Sequence, residues 1–247
     1  MSASSASTTS TPGLTGTLMA WLFSSIGKKT VVALTGIVLV LFVIGHMIGN
    51  LTVFFGPDAI NSYAMHLRDL GPLLWLVRLV MLTMVVAHIW FTMLLWKENL
   101  AAHPQKYAVF APMKTTIFAR TMRLTGLFVL AFIAFHLAHF TLLWVDPGYA
   151  QYHTELHGRE VHDVYRMVIV GFRNPIISLF YLVSLALVAF HLSHGIGSLF
   201  QTVGITDQRL RGYYEGGAQI LAWVLFIGYA SIPVSILFLG LGSGVTK

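Results

Sequence analysis

The chain contains no cysteine, which rules out disulfides, thiolate-bound iron–sulfur clusters, cysteine nucleophiles and thioether-attached haem. Charge is also scarce. Asp, Glu, Lys and Arg make up 10% of the 247 residues, against about 25% in an ordinary soluble domain, so this supply cannot build a water-facing surface. Hydrophobic residues are abundant, at 56%, and the solvent they call for is mostly lipid. The formal net charge is +6, and the basic residues fall in short clusters near the ends of apolar runs. That pattern suits anionic headgroups and membrane orientation better than nucleic acid.

A bilayer-crossing helix needs about 20 mostly apolar residues. Five stretches meet this, at 30–54, 73–96, 121–145, 175–200 and 218–241, so the expected fold class is an all-α membrane protein with five transmembrane helices in a bundle. Residues 1–29 are read as a tail and membrane-entry segment, with a Ser/Thr-rich start expected to fray in water, and 30–247 as one membrane domain. The first apolar run comes late, exceeds twenty residues and lacks a small-residue cleavage site, so it is read as a retained span. With the N-terminus inside, nine Lys and Arg fall on the inner side and six on the outer, which favours a cytoplasmic N-terminus.

Six histidines lie within the spans: His46 in the first, His88 in the second, His136 and His139 in the third, and His191 and His194 in the fourth. An ionisable ring in hydrocarbon is costly unless it has a partner, so each marks a candidate site; the plain alternative is a hydrogen bond to a neighbouring helix. His46, His88, His136 and His191 each sit a few residues past the middle of their span. Because consecutive helices alternate in direction, His46 and His136 fall toward the outer face, and His88 and His191 toward the inner face. This gives two pairs separated by about 10 Å along the membrane normal. Two stacked sites offering one imidazole from each side match two bis-histidine haems, a saturated coordination that carries electrons and binds no substrate. Small residues beside these histidines, Gly45, Gly49, Ala87 and Gly195, leave room for a porphyrin, although they are also ordinary at helix contacts. His139 and His194 each follow their neighbour by three residues on nearly the same face, so position alone leaves either member open as the ligand. A short echo, Phe135-His136-Leu137-Ala138-His139 and Phe190-His191-Leu192-Ser193-His194, links the third and fourth spans.

Several motifs in order carry a resemblance. They are Thr35-Gly36 with Gly45-His46-Met47; Ile60-Asn61-Ser62 with His66; Ala87-His88; Arg123-Leu124-Thr125-Gly126 with His136; and His191-Leu192-Ser193-His194-Gly195 with Gly204-Ile205-Thr206. Over nearly the whole chain after the tail, the sequence resembles the five-helix, di-haem cytochrome b membrane anchor of bacterial succinate dehydrogenases and fumarate reductases. The resemblance implies two haems b, with His46 and His136 on the outer one and His88 and His191 on the inner one. It places the chain in the bacterial cytoplasmic membrane and implies an iron–sulfur subunit and an FAD-bearing flavoprotein as cytoplasmic partners. A membrane quinone, menaquinone or ubiquinone, would be the substrate, and this chain would hold no dicarboxylate site. Lys97 to Arg123 would be the docking surface, although topology alone also demands a basic loop there. The resemblance points to Ala189 where proton-coupled members carry a buried glutamate, and spans two to four contain no acidic residue in their apolar cores, so no buried carboxylate relay is expected there.

Arg78 and Arg123 are candidates for haem propionate contacts, since an arginine offers a paired fork to a carboxylate; snorkelling to headgroups is the alternative. Asn61, His66 and Asp69 could line a quinone pocket, or belong to a solvated loop. Three other classes of membrane protein share parts of this pattern. Anchors of other quinone-linked dehydrogenases share the ligand logic. A membrane di-iron oxygenase needs clustered histidines and open coordination positions. A transporter calls for broken helices and a midplane carboxylate.

Overall fold

The structure, a computed structural model, describes residues 13–102, 117–205 and 207–246. Residues 1–12, Lys106, Lys114, Thr206, Lys247 and the side chain of Arg120 lie outside the described residues, as does most of the expected docking loop. The described chain is mostly helical: α1 Leu14–Leu22, α2 Ser25–Leu51, α3 Pro57–Asp69, α4 Pro72–Ala102, α5 Ile117–His136, α6 Val164–Phe172, α7 Pro175–Thr202 and α8 Gln208–Phe238. Five helices are long and apolar enough to cross a membrane, at Ser25–Phe55, Pro72–Ala102, Thr121–Thr141, Pro175–Thr202 and Gln208–Phe238. The first begins five residues before the expected 30. Ser24 supplies its N-cap, accepting the Gly27 amide at 3.0 Å.

Local chemistry explains where the elements start and stop. Asn174 caps α7 ahead of Pro175, and Asp207 and Asp163 cap α8 and α6 with their carboxylates. After α2 a 3₁₀ turn, Thr52–Phe55, reaches Gly56 at φ 97°, a left-handed conformation that lets the chain reverse into α3 at Pro57. α5 ends sooner than the expected 145: a π turn, Leu137–Thr141, follows His136, and Leu143 adopts φ 55°. The connection from 146 to 174 is built from a 3₁₀ turn Pro147–Gln151, a hairpin of β1 His153–Leu156 and β2 Arg159–His162, and α6. The all-α expectation therefore gains one two-stranded sheet.

α2 packs on α4, α5 on α7 and α7 on α8, while α2 also touches α7 and α8. One end of the bundle is closed by α3, the hairpin and α6, here called the capped end; the other, where α1 meets α2, is the open end. The buried apolar cluster lies at the capped end, where Val53, Ile60, Val168, Ile169, Phe172, Tyr181, Ile232 and Ile236 meet. This location follows from the solvent, because the hydrophobic effect drives burial where elements face water, whereas lipid tails offer no such gain between spanning helices. α4 accordingly has no fully buried side chain. Lys28, one of the basic residues counted on the inner side, is 5% exposed and ion-paired with Glu98 across the α2–α4 contact. An ammonium at that depth needs a counter-charge.

Candidate functional site: two histidine pairs between the helices

At the capped end α2 presents His46 to His136 of α5. Their ring centroids are 5.9 Å apart and the planes cross at 81°. Two metal–nitrogen bonds of about 2 Å plus about 1 Å from each nitrogen to its ring centre require roughly 6 Å between the centroids of two axial imidazoles. The spacing therefore equals, to within a few tenths of an ångström, the length that one metal atom bound by both rings would need. His46 stacks on Phe42 at 5.4 Å and lies 6.2 Å from Tyr229.

Toward the open end the fourth-helix residue His191 lies close enough to His88 of α4 for their charges to interact. Each ring is gripped by the neighbouring helix of its own half. Thr35 of α2 places Oγ1 3.1 Å from His88 Nδ1, and Thr125 of α5 places Oγ1 3.5 Å from His191 Nδ1. The Thr35 hydroxyl spends its one proton on the Val31 carbonyl at 2.7 Å, so it accepts from His88, which fixes Nδ1 as the protonated nitrogen. Thr125 binds the Thr121 and Met122 carbonyls, each at 3.1 Å, and assigns the same tautomer to His191. In both rings the unprotonated nitrogen is then Nε2, the state a metal-binding imidazole needs.

The residue after each threonine completes the grip. A Cβ added at Gly36 would stand 3.5 Å from His88 Cε1, and one at Gly126 would stand 3.3 Å from His191 Cε1, so these are the glycines against which the rings lie. The small residues expected to matter behave differently. A Cβ at Gly45 would meet nothing within 4 Å, Gly49 receives the Tyr63 ring, and Gly195 faces Met122.

The two members of each close pair at i, i+3 have different surroundings. The π turn that starts at Leu137 rotates His139 away from His136 and into the capped-end core, where it is fully buried with both nitrogens bonded. Its Nδ1 lies 3.1 Å from Tyr181 Oη and its Nε2 3.4 Å from Tyr149 Oη. His136 Nδ1 shares the same Tyr181 hydroxyl at 3.3 Å. His194 interacts electrostatically with Glu215 of α8, which packs on Gly197.

The remaining candidates disperse. Arg78 is exposed over the Trp75 ring, and Arg123 sits 5.7 Å from the Trp96 ring, joining α5 to α4 at the open end. Asn61 is no part of a solvated loop. It is 2% exposed, donates to Asp163 and accepts the Tyr165 amide, and so ties α3 to the start of α6. His66 closes on the Ser62 carbonyl of its own helix, and Asp69 takes a bidentate pair of bonds from Arg159, both at 2.9 Å. That pairing holds the Asp69 carboxyl below the ordinary range.

The threonines and Tyr181 were not among the site residues expected from the sequence, yet a signal for the threonines was there. Leu34-Thr35-Gly36 precedes His46 and Leu124-Thr125-Gly126 precedes His136 at identical spacing, and Pro72 precedes His88 as Pro175 precedes His191. The helix pairs α2/α4 and α5/α7 are thus two copies of one arrangement, a longer echo than the one between the third and fourth spans. Within each helix, eleven residues from threonine to histidine put the two levels about 16 Å apart, wider than the expected 10 Å. Among the described residues no three His, Cys, Asp or Glu side chains converge to hold a metal ion; the histidines meet in twos. Compared with protein-family models, curated proteins and solved structures, the chain shows no match.

Proposed function

We propose that the chain is the di-haem cytochrome b anchor of a membrane-bound succinate dehydrogenase or fumarate reductase, carrying electrons between an iron–sulfur subunit and membrane quinone. The observation that carries the haem reading is the arrangement of the two histidine pairs: one imidazole from each of two helices, at two levels, with a centroid spacing of 5.9 Å between His46 and His136. His46 and His136 would hold one haem iron, and His88 and His191 the other. The repeated Leu-Thr-Gly and Pro spacings support His136 and His191 over His139 and His194, because only the former have counterparts in the first half. The doubly bonded ring of His139 supports the same choice.

A haem so ligated supplies reversible one-electron transfer with no open coordination position. The protein's part is to hold the imidazoles. Thr35 and Thr125 keep Nδ1 protonated and aim Nε2 inward, Gly36 and Gly126 let the rings seat against a neighbouring helix, and the surrounding hydrocarbon excludes water. Grouping in twos supports haem over a di-iron centre, which gathers more ligands around open positions. The inner and outer assignments, with the open end cytoplasmic, rest on the basic residues near that end.

The test is a reduced-minus-oxidised optical spectrum of the detergent-solubilised protein with a pyridine haemochrome assay. Two low-spin haems b per chain are expected, and a colourless protein, or one holding non-haem iron, would sink the reading. The succinate-linked partners come from the resemblance and have their own test: purification of the tagged chain from its native membrane should bring down a flavoprotein and an iron–sulfur protein with succinate-oxidising activity.

A further inference from the structure

Tyr181 occupies a position where its ring alone would be satisfied by phenylalanine. Phe132, Phe135, Phe140, Phe172 and Phe180 surround it with centroids 4.8 to 6.1 Å away. Only the hydroxyl distinguishes tyrosine there, and that hydroxyl is shared by two imidazoles, His136 Nδ1 at 3.3 Å and His139 Nδ1 at 3.1 Å. One hydroxyl has one proton, so it donates to one ring and accepts from the other. If His136 presents Nε2 toward His46, its Nδ1 carries the proton and donates to Tyr181. Tyr181 then donates to His139, whose Nε2–H is left to donate to Tyr149 at 3.4 Å. Every nitrogen in the chain has a partner in this one order, and reversing it would protonate Nε2 of His136.

We propose that Tyr181 is a positioning residue for the capped-end haem, the buried chain Tyr149–His139–Tyr181 fixing both the tautomer and the electron-donating strength of His136. The proposal rests on the haem reading above. A hydroxyl whose own proton is drawn onto His139 is a better acceptor, because successive hydrogen bonds polarise one another. It therefore makes His136 a stronger donor to iron, as outer-shell partners of ligating histidines do. A stronger donor favours the ferric state and lowers the reduction potential.

The experiment is a potentiometric titration of both haems in detergent-solubilised protein, with the capped-end haem identified by its loss in His46→Ala. In Tyr181→Phe both haems should remain, and the capped-end haem should titrate about tenfold more in favour of the reduced form, about 59 mV for a one-electron couple. The open-end haem should not move. His139→Gln and Tyr149→Phe, which keep Tyr181, should shift the same haem in the same direction by less, and they carry the test if Tyr181→Phe does not accumulate. Unchanged potentials, or equal shifts at both haems, would overturn the proposal while leaving the haem reading intact. A wild-type protein without haem would instead remove the reading on which it rests.

Discussion

The two histidine pairs offer the same imidazole chemistry but are supported in different ways. At the open-end pair both rings are held by threonine hydroxyls on an adjacent spanning helix, and those hydroxyls are themselves tied to backbone carbonyls of the same turn. The support is short, local and repeated in the two halves. At the capped-end pair, His136 joins a tyrosine–histidine–tyrosine chain that reaches into the water-facing cap, whereas His46 is held by ring packing on Phe42. The contrast follows from where each pair lies. In mid-membrane only neighbouring helices offer hydrogen-bond partners, so the first small polar residue within reach does the work. Beside the cap, folded loops bring partners from distant parts of the chain.

Replacing the four paired histidines should, on the haem reading proposed above, break the comparison most completely. His46→Ala or His136→Ala is expected to remove one haem and His88→Ala or His191→Ala the other, each variant retaining about half the pyridine haemochrome signal; His194→Ala should keep both. Loss of both haems from every variant would mean that the pairs do not act as separate sites. Next in size, Thr35→Val and Thr125→Val should weaken haem retention at the open-end site by about tenfold each, the scale of outer-shell effects, with little change at the other. Titrating apoprotein with haem measures this, and equal weakening at both sites would erase the distinction drawn here.

Smaller effects test the frame around the pairs. Glu98→Gln strands Lys28, which is buried, but the Glu98 side chain is 46% exposed, so the cost should be about 1–2 kcal/mol, between values for surface and buried pairs. It would be read as a lower thermal midpoint in detergent, and Lys28→Met with Glu98→Gln should recover most of it. The smallest effect is confined to the cap, where a cleft of about 340 Å³ is lined by Arg68, Asp69, His153, Arg159 and His162. Asp69 has a lowered pKa through its bond to Arg159, so its contribution is complete above the usual carboxylate range near 4 and fades as pH falls through the lower folded value. His162 is lowered by burial, then by Arg68 and His153, so the unfolded hairpin takes up that proton first as pH drops below about 6.5. Hydrogen-exchange protection factors, which correct for the intrinsic slowing of exchange in acid, should therefore fall at the hairpin amides on acidification while the spanning helices keep theirs; uniform behaviour of both regions would contradict a separately titrating cap.

How much was legible beforehand depended on the solvent each residue meets. The five spans could be read because about 20 apolar residues have few other uses, and errors arose only at their ends, where Ser24 starts α2 early and the π turn stops α5 before 145. The cap could not be read: the hairpin and α6 come from a stretch of mixed polarity whose hydrogen bonds run between segments about a hundred residues apart, such as Asn61 to Asp163. Gly36 and Gly126 stood out as parts of motifs, but their role against the histidine rings was not legible, for a related reason. They lie ten residues from the histidine on their own helix, and serve the histidine of another.

By itself the sequence determined that the chain lives in lipid, that it crosses about five times, and that the ionisable groups deep inside those spans are mostly histidines, because composition and run length decide partition into a bilayer. Tertiary structure alone decided which nitrogen of each ring is bonded, why His139 and His136 part company within one turn, and that Lys28 is buried against Glu98. Those outcomes depend on which helix lies beside which and on a local change of helical pitch, and hydrogen bonds are satisfied by neighbours in space, whatever their distance along the chain.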